Sequence, residues 1–247
     1  LSAVGIKMKK YFAILILSLL IFGEKISAQK PGVLNLPKYD NAWLHFGFSI
    51  GINKANFTIH HLKNLAALDT VLSILPEPQY GFNLAIVSDL RIHEFATLRF
   101  LPALSFQDRK LNYTVVDKVK GDTITFSKPV ESTILDFPLN LKIRSSRLNN
   151  FAAYIIGGAK WSIDLASQKD VISSTIPKDA IVKLKKSDFS YEAGFGIDIF
   201  FPYFKFSIEA KASWGLRNLL VKDKDIFSNS IDKLSSKVFL ISFNFEG

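Results

Sequence analysis

Apolar and polar residues alternate with period two in segments about ten residues long, and this pattern constrains the fold more than any other feature of the chain. In residues 43–57, Leu44, Phe46, Phe48, Ile50 and Ile52 share one face, with His45, Gly47, Ser49, Gly51 and Asn53 on the other. Successive strand side chains point to opposite sides, so this is a strand between an apolar and a polar environment. The pattern returns at 79–90 (Tyr80, Phe82, Leu84, Ile86 against Gly81, Asn83, Ala85, Asp89) and at 95–106 (Leu98, Phe100, Leu104, Phe106 against Thr97, Arg99, Ser105). At 133–144 Leu135, Phe137, Leu139, Leu141 and Ile143 oppose Asp136, Asn140, Lys142 and Arg144, while 151–165 is apolar but blurred by Gly157-Gly158. Three clear segments follow. Phe189, Tyr191, Phe195 and Ile197 face away from Ser190, Glu192, Gly194, Gly196 and Asp198; Phe206, Ile208 and Trp214 from Lys205, Ser207, Glu209 and Lys211; Phe239, Ile241, Phe243 and Phe245 from Ser242 and Asn244.

These segments predict an all-β, eight-stranded antiparallel up-and-down transmembrane β-barrel. Each has about the 9–11 residues that a tilted membrane strand needs. The connections alternate in length: 91–94, 145–150 and 202–203 are short, whereas 58–78, 107–130, 166–188 and 217–235 are long. Short periplasmic turns and long extracellular loops give that asymmetry. Within the first long connection, 62–75 is apolar enough for a short helix, and Leu62, Leu65, Leu68, Leu72 and Leu75 form a candidate partner-binding loop. Residues 117–122 hold a Gly-Asp turn in an extended hairpin above the membrane.

Alternation alone also fits a soluble barrel with its apolar face inward. Three features favour lipid outside. The polar face carries Gly47, Gly51, Gly81, Gly194 and Gly196 beside mixed charges, which suits a crowded narrow lumen. Trp43, Tyr80, Trp161, Tyr203 and Trp214 fall near segment ends, as in an aromatic girdle. The last strand carries Phe243 and Phe245, a feature resembling the C-terminal recognition signal of outer-membrane barrels.

The N-terminus reads as a secretory signal peptide: Met8-Lys9-Lys10 is the positive region, 11–22 the apolar region, and Ile26-Ser27-Ala28 the cleavage site. The domain division expected is 1–28 for the N-terminal extension and signal peptide, 29–42 for a periplasmic lead-in and 43–247 for the barrel. With no Cys after the cleavage point, a lipoprotein anchor, disulfides and thiolate metal sites are excluded. Hydrophobic residues reach 48%, yet the apolar run at 11–22 is too short to cross a membrane as a helix. The formal charge of +9 is scattered rather than gathered into a basic stripe, so no nucleic-acid partner is expected.

If the polar face points inward, Arg99, Asp136, Lys142, Arg144, Lys160, Glu192, Asp198, Lys205, Glu209 and Lys211 meet in a small lumen. Mixed signs favour ion pairs and a plugged core; a proton or ion pathway is the sharper alternative. No catalytic motif, cofactor cradle or metal-ligand spacing is present: His60-His61 beside Asp69 point apart in an extended chain and read as loop histidines. Gly81 and Gly157-Gly158 read as strand kinks or bulges.

The stretches Leu98-Arg99-Phe100-Leu101-Pro102-Ala103-Leu104-Ser105-Phe106, Leu135-Asp136-Phe137-Pro138-Leu139-Asn140-Leu141-Lys142, Gly157-Gly158-Ala159-Lys160, Tyr191-Glu192-Ala193-Gly194-Phe195-Gly196-Ile197-Asp198 and Phe204-Lys205-Phe206-Ser207-Ile208-Glu209, with Gly215-Leu216-Arg217-Asn218-Leu219-Leu220, resemble the PorT family of outer-membrane β-barrels. The resemblance spans nearly all of the chain after residue 28. It implies a non-enzymatic role, without cofactor, in type IX protein secretion and gliding motility of Bacteroidetes, through protein partners in the outer membrane. Two alternatives stand beside it. One is a surface barrel that binds an extracellular ligand or supports outer-membrane protein assembly; the other is a lumenal ligand binder or enzyme with an open cavity near Glu192, Glu209 and Lys205.

Overall fold

The computed structural model describes residues 34–61, 71–116, 122–166, 184–221 and 231–247. Nine strands follow in order: β1 (Leu44–His61), β2 (Val71–Arg91), β3 (Ala96–Phe100), β4 (Ala103–Val116), β5 (Thr123–Arg144), β6 (Phe151–Asp164), β7 (Ser187–Phe200), β8 (Lys205–Gly215) and β9 (Ile231–Glu246). All pairings between them are antiparallel, and β1 pairs with β2 on one side (Leu44↔Leu90) and β9 on the other (Phe48↔Phe245), so the sheet closes into a ring.

β3 and β4 are two halves of one stave, because both lie between β2 and β5 and the register is unchanged across the gap, with Phe100↔Leu139 before it and Ala103↔Asp136 after it. The gap has a chemical cause. Pro102 has no amide proton to donate, nor has Pro138 on the facing stretch of β5. Leu101 N–H still reaches the Pro138 carbonyl at 3.3 Å, and Ile86 N–H the Pro102 carbonyl at 3.0 Å. The ring therefore has the eight staves that the alternation predicts.

The outward residues of the alternating segments are exposed and apolar, among them Phe46, Ile52, Ile86, Ile155 and Phe195. On β1 the uninterrupted band runs from Leu44 to Ile52; nine residues at about 3.3 Å each, tilted by about 40°, rise roughly 23 Å, close to an outer-membrane hydrocarbon layer. Trp43 and Tyr203 stand beyond this band at the short-turn end, while Tyr80, Trp161 and Trp214 stand toward its other end. Trp214 stacks on Tyr191 at 5.2 Å between ring centroids and Trp161 on Phe137 at 5.6 Å; the Lys54 ammonium lies 5.1 Å from the centre of the Tyr80 ring. Phe245 packs against Phe48 at 4.9 Å and Phe206 at 5.1 Å, joining three neighbouring staves on the outside.

Several strands run well past the segments expected from sequence, always at the long-loop end. There the inward face turns apolar: Phe57, Ile74, Leu111, Tyr113, Ile231 and Leu234 are buried together with Leu184, Leu219 and Leu220. The strand extents and registers correct three readings. Leu72 and Leu75 belong to β2 and are exposed on its surface rather than lying in a helical loop, while Leu62, Leu65 and Leu68 fall outside the described residues. His60 and His61 end β1 rather than lying in a loop, with a register irregularity between them against β9; Asp69 is outside the described residues. Gly157-Gly158 is not a bulge, since β6 keeps register with both neighbours there, whereas β2 does shift on β4 between Pro78 and Phe82, around Gly81.

Lumen width is set by glycine. A Cβ on Gly196 would run into the Tyr154 ring directly across the pair, and one on Gly47 into the backbone of Phe245. Gly196→Val is expected to abolish folding, read as loss of the heat-modifiable gel shift of the refolded barrel, while Ala193→Val on the outer face leaves that shift intact.

Candidate functional site in the barrel lumen

Period-two geometry sends every second side chain inward, so residues distant in sequence meet across a narrow ring. Arg99 on β3 is fully buried and is the hub. Its cross-strand neighbour Asp89 on β2 takes two parallel bonds, from Nε at 2.7 Å and Nη2 at 2.6 Å. From the far wall, Glu246 on β9 accepts from Nη2 at 2.7 Å and Glu209 on β8 from Nη1 at 3.2 Å. A guanidinium is the side chain that can do this, having five donors in a rigid fork.

Four lysines of the predicted lumenal set are paired around this hub. Lys205 binds Glu246 at 2.6 Å, and Lys211 bridges Glu209 at 3.2 Å and Glu192 at 3.3 Å. Lys142 binds Asp198 at 2.8 Å with its ammonium 3.8 Å from the centre of the Tyr154 ring, and Ser207 donates to the same carboxylate at 2.6 Å. Tyr154 donates to Glu209 at 2.8 Å. Lys160 and Asp136 form a separate pair at 3.5 Å.

Arg144 does not join this network. It lies at the short-turn mouth, held by Asp40 at 2.7 Å. The segment before β1 folds back there: Tyr39, in the 3-10 turn Tyr39–Asn41, is buried, stacks on His45 with ring centroids 3.7 Å apart, and donates to Glu246 at 3.1 Å. Asp40 also takes Arg147 at 3.3 Å, and the Arg147 guanidinium lies 3.7 Å from the centre of the Phe200 ring. Asn35 is fastened too, its N–H to the Asn150 side chain at 2.8 Å and its own side-chain amide to the Phe200 carbonyl at 2.9 Å. Residues 35–41 thus form a cap.

Asp89, Glu246, Tyr154 and Tyr39 are the partners that sequence reasoning left out of the charge network. Asp89 and Glu246 sit on polar-face positions of their strands and could have been included by parity. Tyr154 is hidden by its surroundings, because the inward face of β6 begins Ala152, Tyr154, Ile156 and so carries no polar alternation.

Between these groups the lumen holds small cavities. One at the cap is lined by Tyr39, His45, Asp89 and Lys205; one midway by Asn53, Asn83, Glu192 and Lys211; and one toward the long-loop end by Arg109, Lys160, Asp164 and Asp188. Each has room for about two waters. The chain Asp89–Arg99–Glu209–Lys211 spans the axis between the first two. Among the described residues no group of three or more His, Asp or Glu is placed to hold a metal.

An antiparallel strand ring, apolar outside and ionic within, defines a transmembrane β-barrel of the small outer-membrane class. The family model described as outer membrane protein beta-barrel domain matches residues 28–221, and the chain belongs to that family. Its place is the outer membrane, with the apolar wall against lipid. Solved structures similar to it are the outer membrane protein OprG from Pseudomonas aeruginosa (10% identity over 82% of this chain and 92% of that one, TM-score 0.42) and Neisserial surface protein A (10% identity over 81% and 95%, TM-score 0.40). A third is the attachment invasion locus protein Ail of Yersinia pestis in complex with the heparin analogue sucrose octasulfate (14% identity over 83% and 100%, TM-score 0.37). No curated protein sequence matches the chain.

Two outcomes follow. Arg99→Met leaves the Asp89, Glu209 and Glu246 carboxylates buried without their common partner, and is expected to cost about 3–5 kcal/mol of unfolding free energy in urea titrations of the refolded barrel. At the cap, burial pushes the Asp40 carboxyl up, but hydrogen bonds and charge from Arg144 and Arg147 outweigh it and hold the group below its ordinary value. A depressed carboxyl stabilises at pH above its unfolded value, near 4, and loses that contribution as pH falls through the folded value. Protection of the residue 39–42 amides from exchange should therefore persist at pH 5 and drop below about pH 4, and Asp40→Asn should remove that pH dependence.

Proposed function

We propose that this barrel is a non-enzymatic, non-conducting accessory or assembly component of type IX protein secretion, and thereby of surface display and gliding motility, of the PorT family kind. The observation that carries the reading is the interrupted lumen. Among the described residues Arg99 is bonded to three carboxylates across the axis, with cavities of about two waters on either side, and this leaves no room there for a polypeptide. The barrel acts through its surfaces. The family resemblance of the stretches around Arg99, Asp136, Glu192 and Glu209 supplies the secretion pathway, and export by a cleaved signal peptide over residues 1–28 supplies the route to the outer membrane.

Protein partners then meet the lipid-facing wall or the long connections. The cap residues are already engaged with their own barrel, so Tyr39 and Asp40 are not free to recruit a partner without unlatching. Within the candidate loop, Leu72 and Leu75 are part of the β2 wall, and a deletion aimed at loop contacts must spare them. Removing residues 62–70 with a short Gly-Ser replacement should leave insertion intact and lower secretion of type IX cargo at least several-fold. Normal secretion by a correctly inserted variant sinks the loop contact, and normal secretion by a strain lacking the whole protein sinks the secretion role. In planar bilayers the purified barrel should give no conductance steps.

A further inference from the structure

The cavity toward the long-loop end contains a cation that the network above does not use. Arg109, on β4, is almost fully buried at 2% exposure. Its Nη2 donates to Gln107 and, at 3.0 Å, to Ser236, and its guanidinium lies 4.9 Å from the centre of the Phe57 ring. Among the described residues no carboxylate lies within ion-pairing distance of it, and its Nε has no hydrogen-bond partner. Every other buried Arg or Lys of the central network has at least one carboxylate partner, as with Arg99, Lys142, Lys160, Lys205 and Lys211. Taking a charge out of water without a counter-charge is among the costliest arrangements a protein interior can hold.

Further charged groups line the cavity around Arg109. Lys160 shares it from the floor, engaged with Asp136, and Lys185 and Lys186 stand exposed at its rim. Two carboxylates, Asp164 and Asp188, line the same space; with Lys160 already paired to Asp136, the three cations Arg109, Lys185 and Lys186 face these two anions, and an excess of one positive charge remains. The serines of β7 to β9 on its wall, Ser190, Ser213 and Ser236, offer hydroxyls that can donate to oxygen acceptors, while the Ser162 hydroxyl is taken by Asp136.

We infer that this cavity is a binding site for a small oxyanion, of phosphate, sulfate or carboxylate type, anchored on Arg109. Guanidinium geometry matches such groups through parallel N–H···O bonds, and the free Nε is one of the donors that would be used. The site lies inside the ring, so a solute reaches it through water, whereas the phosphates of lipid headgroups lie beyond the wall. This inference does not depend on the secretion role.

The test is calorimetric titration of the full barrel, refolded in neutral detergent, with inorganic phosphate at constant ionic strength. Wild type is expected to bind one phosphate saturably. Arg109→Met, which keeps volume and removes an unpaired buried charge, should fold and bind at least tenfold more weakly. The double variant Lys185→Ala/Lys186→Ala, altered only at exposed positions, should weaken binding several-fold with folding unchanged, while Lys237→Gln on the outer surface should bind as wild type. Adding lipid A to the micelles should leave phosphate affinity unchanged. Absence of saturable binding by wild type overturns the inference, as does binding that survives in both altered sites, or competition by lipid A that requires Arg109.

Discussion

Hydrocarbon offers no partner to a backbone amide or carbonyl, and every other feature of this chain is subordinate to that fact. It forces the first strand onto the last: β1 could not lie in lipid with one edge open, and pairing with β9 from Gly47↔Glu246 outward removes that edge. It also explains where the prolines sit. Pro102 and Pro138 fall at the same short break, where the register on either side sets Leu101 opposite Pro138, and their own carbonyls are still used, that of Pro102 by Ile86 and that of Pro138 by Leu101.

Closure with eight staves leaves a lumen about as wide as its own side chains. Filling it with apolar groups would give both faces of each strand the same preference, and a strand apolar on both faces has no fixed sidedness; a one-residue slip then costs little. Charges inside and aromatics outside make the two faces incompatible. Buried ion pairs are poor sources of net stability compared with well-packed apolar groups, because desolvation offsets most of their attraction. Here their more important contribution is register: Arg99 meets Asp89 directly across the ladder, and a slip of one residue on β3 would turn the guanidinium into lipid. The glycines are the steric counterpart. Gly196 leaves the space that the Tyr154 ring fills, which in turn places the Tyr154 hydroxyl on Glu209.

The ring, its stave count and the inward set of charges were legible in the sequence because lipid imposes one strict rule on each strand. What escaped did so where that rule lapses. Arg144 has the correct parity for the lumen, yet it lies at the end of β5, where a segment before the barrel supplies Asp40; no periodicity in β5 could announce that partner. Tyr154 was masked by Ala152 and Ile156, since an inward aromatic and an outward aromatic look alike in a one-letter alternation. Leu72 and Leu75 suggested a helix because β2 carries Pro76 and Pro78 and an irregular register there, which spoils the period-two pattern without ending the strand.

The strand ends at the long-loop side failed for the most instructive reason. Along β4 the inward residues run Ser105, Gln107, Arg109, Leu111, Tyr113: polar within the membrane and apolar beyond it. Once the wall leaves lipid, water bathes its outside, and the strand reverts to the ordinary soluble rule of apolar side inward. Phe57, Ile74, Leu111, Tyr113, Ile231 and Leu234 then form a conventional hydrophobic core that holds the rim together. Arg109 sits at the junction of the two regimes, with Phe57 of the upper core on one side of its guanidinium and the polar Gln107 and Ser236 on the other. The same change of solvent that hid these strand ends from an apolar-outward template therefore accounts for Arg109, a buried cation with no carboxylate at ion-pairing distance among the described residues.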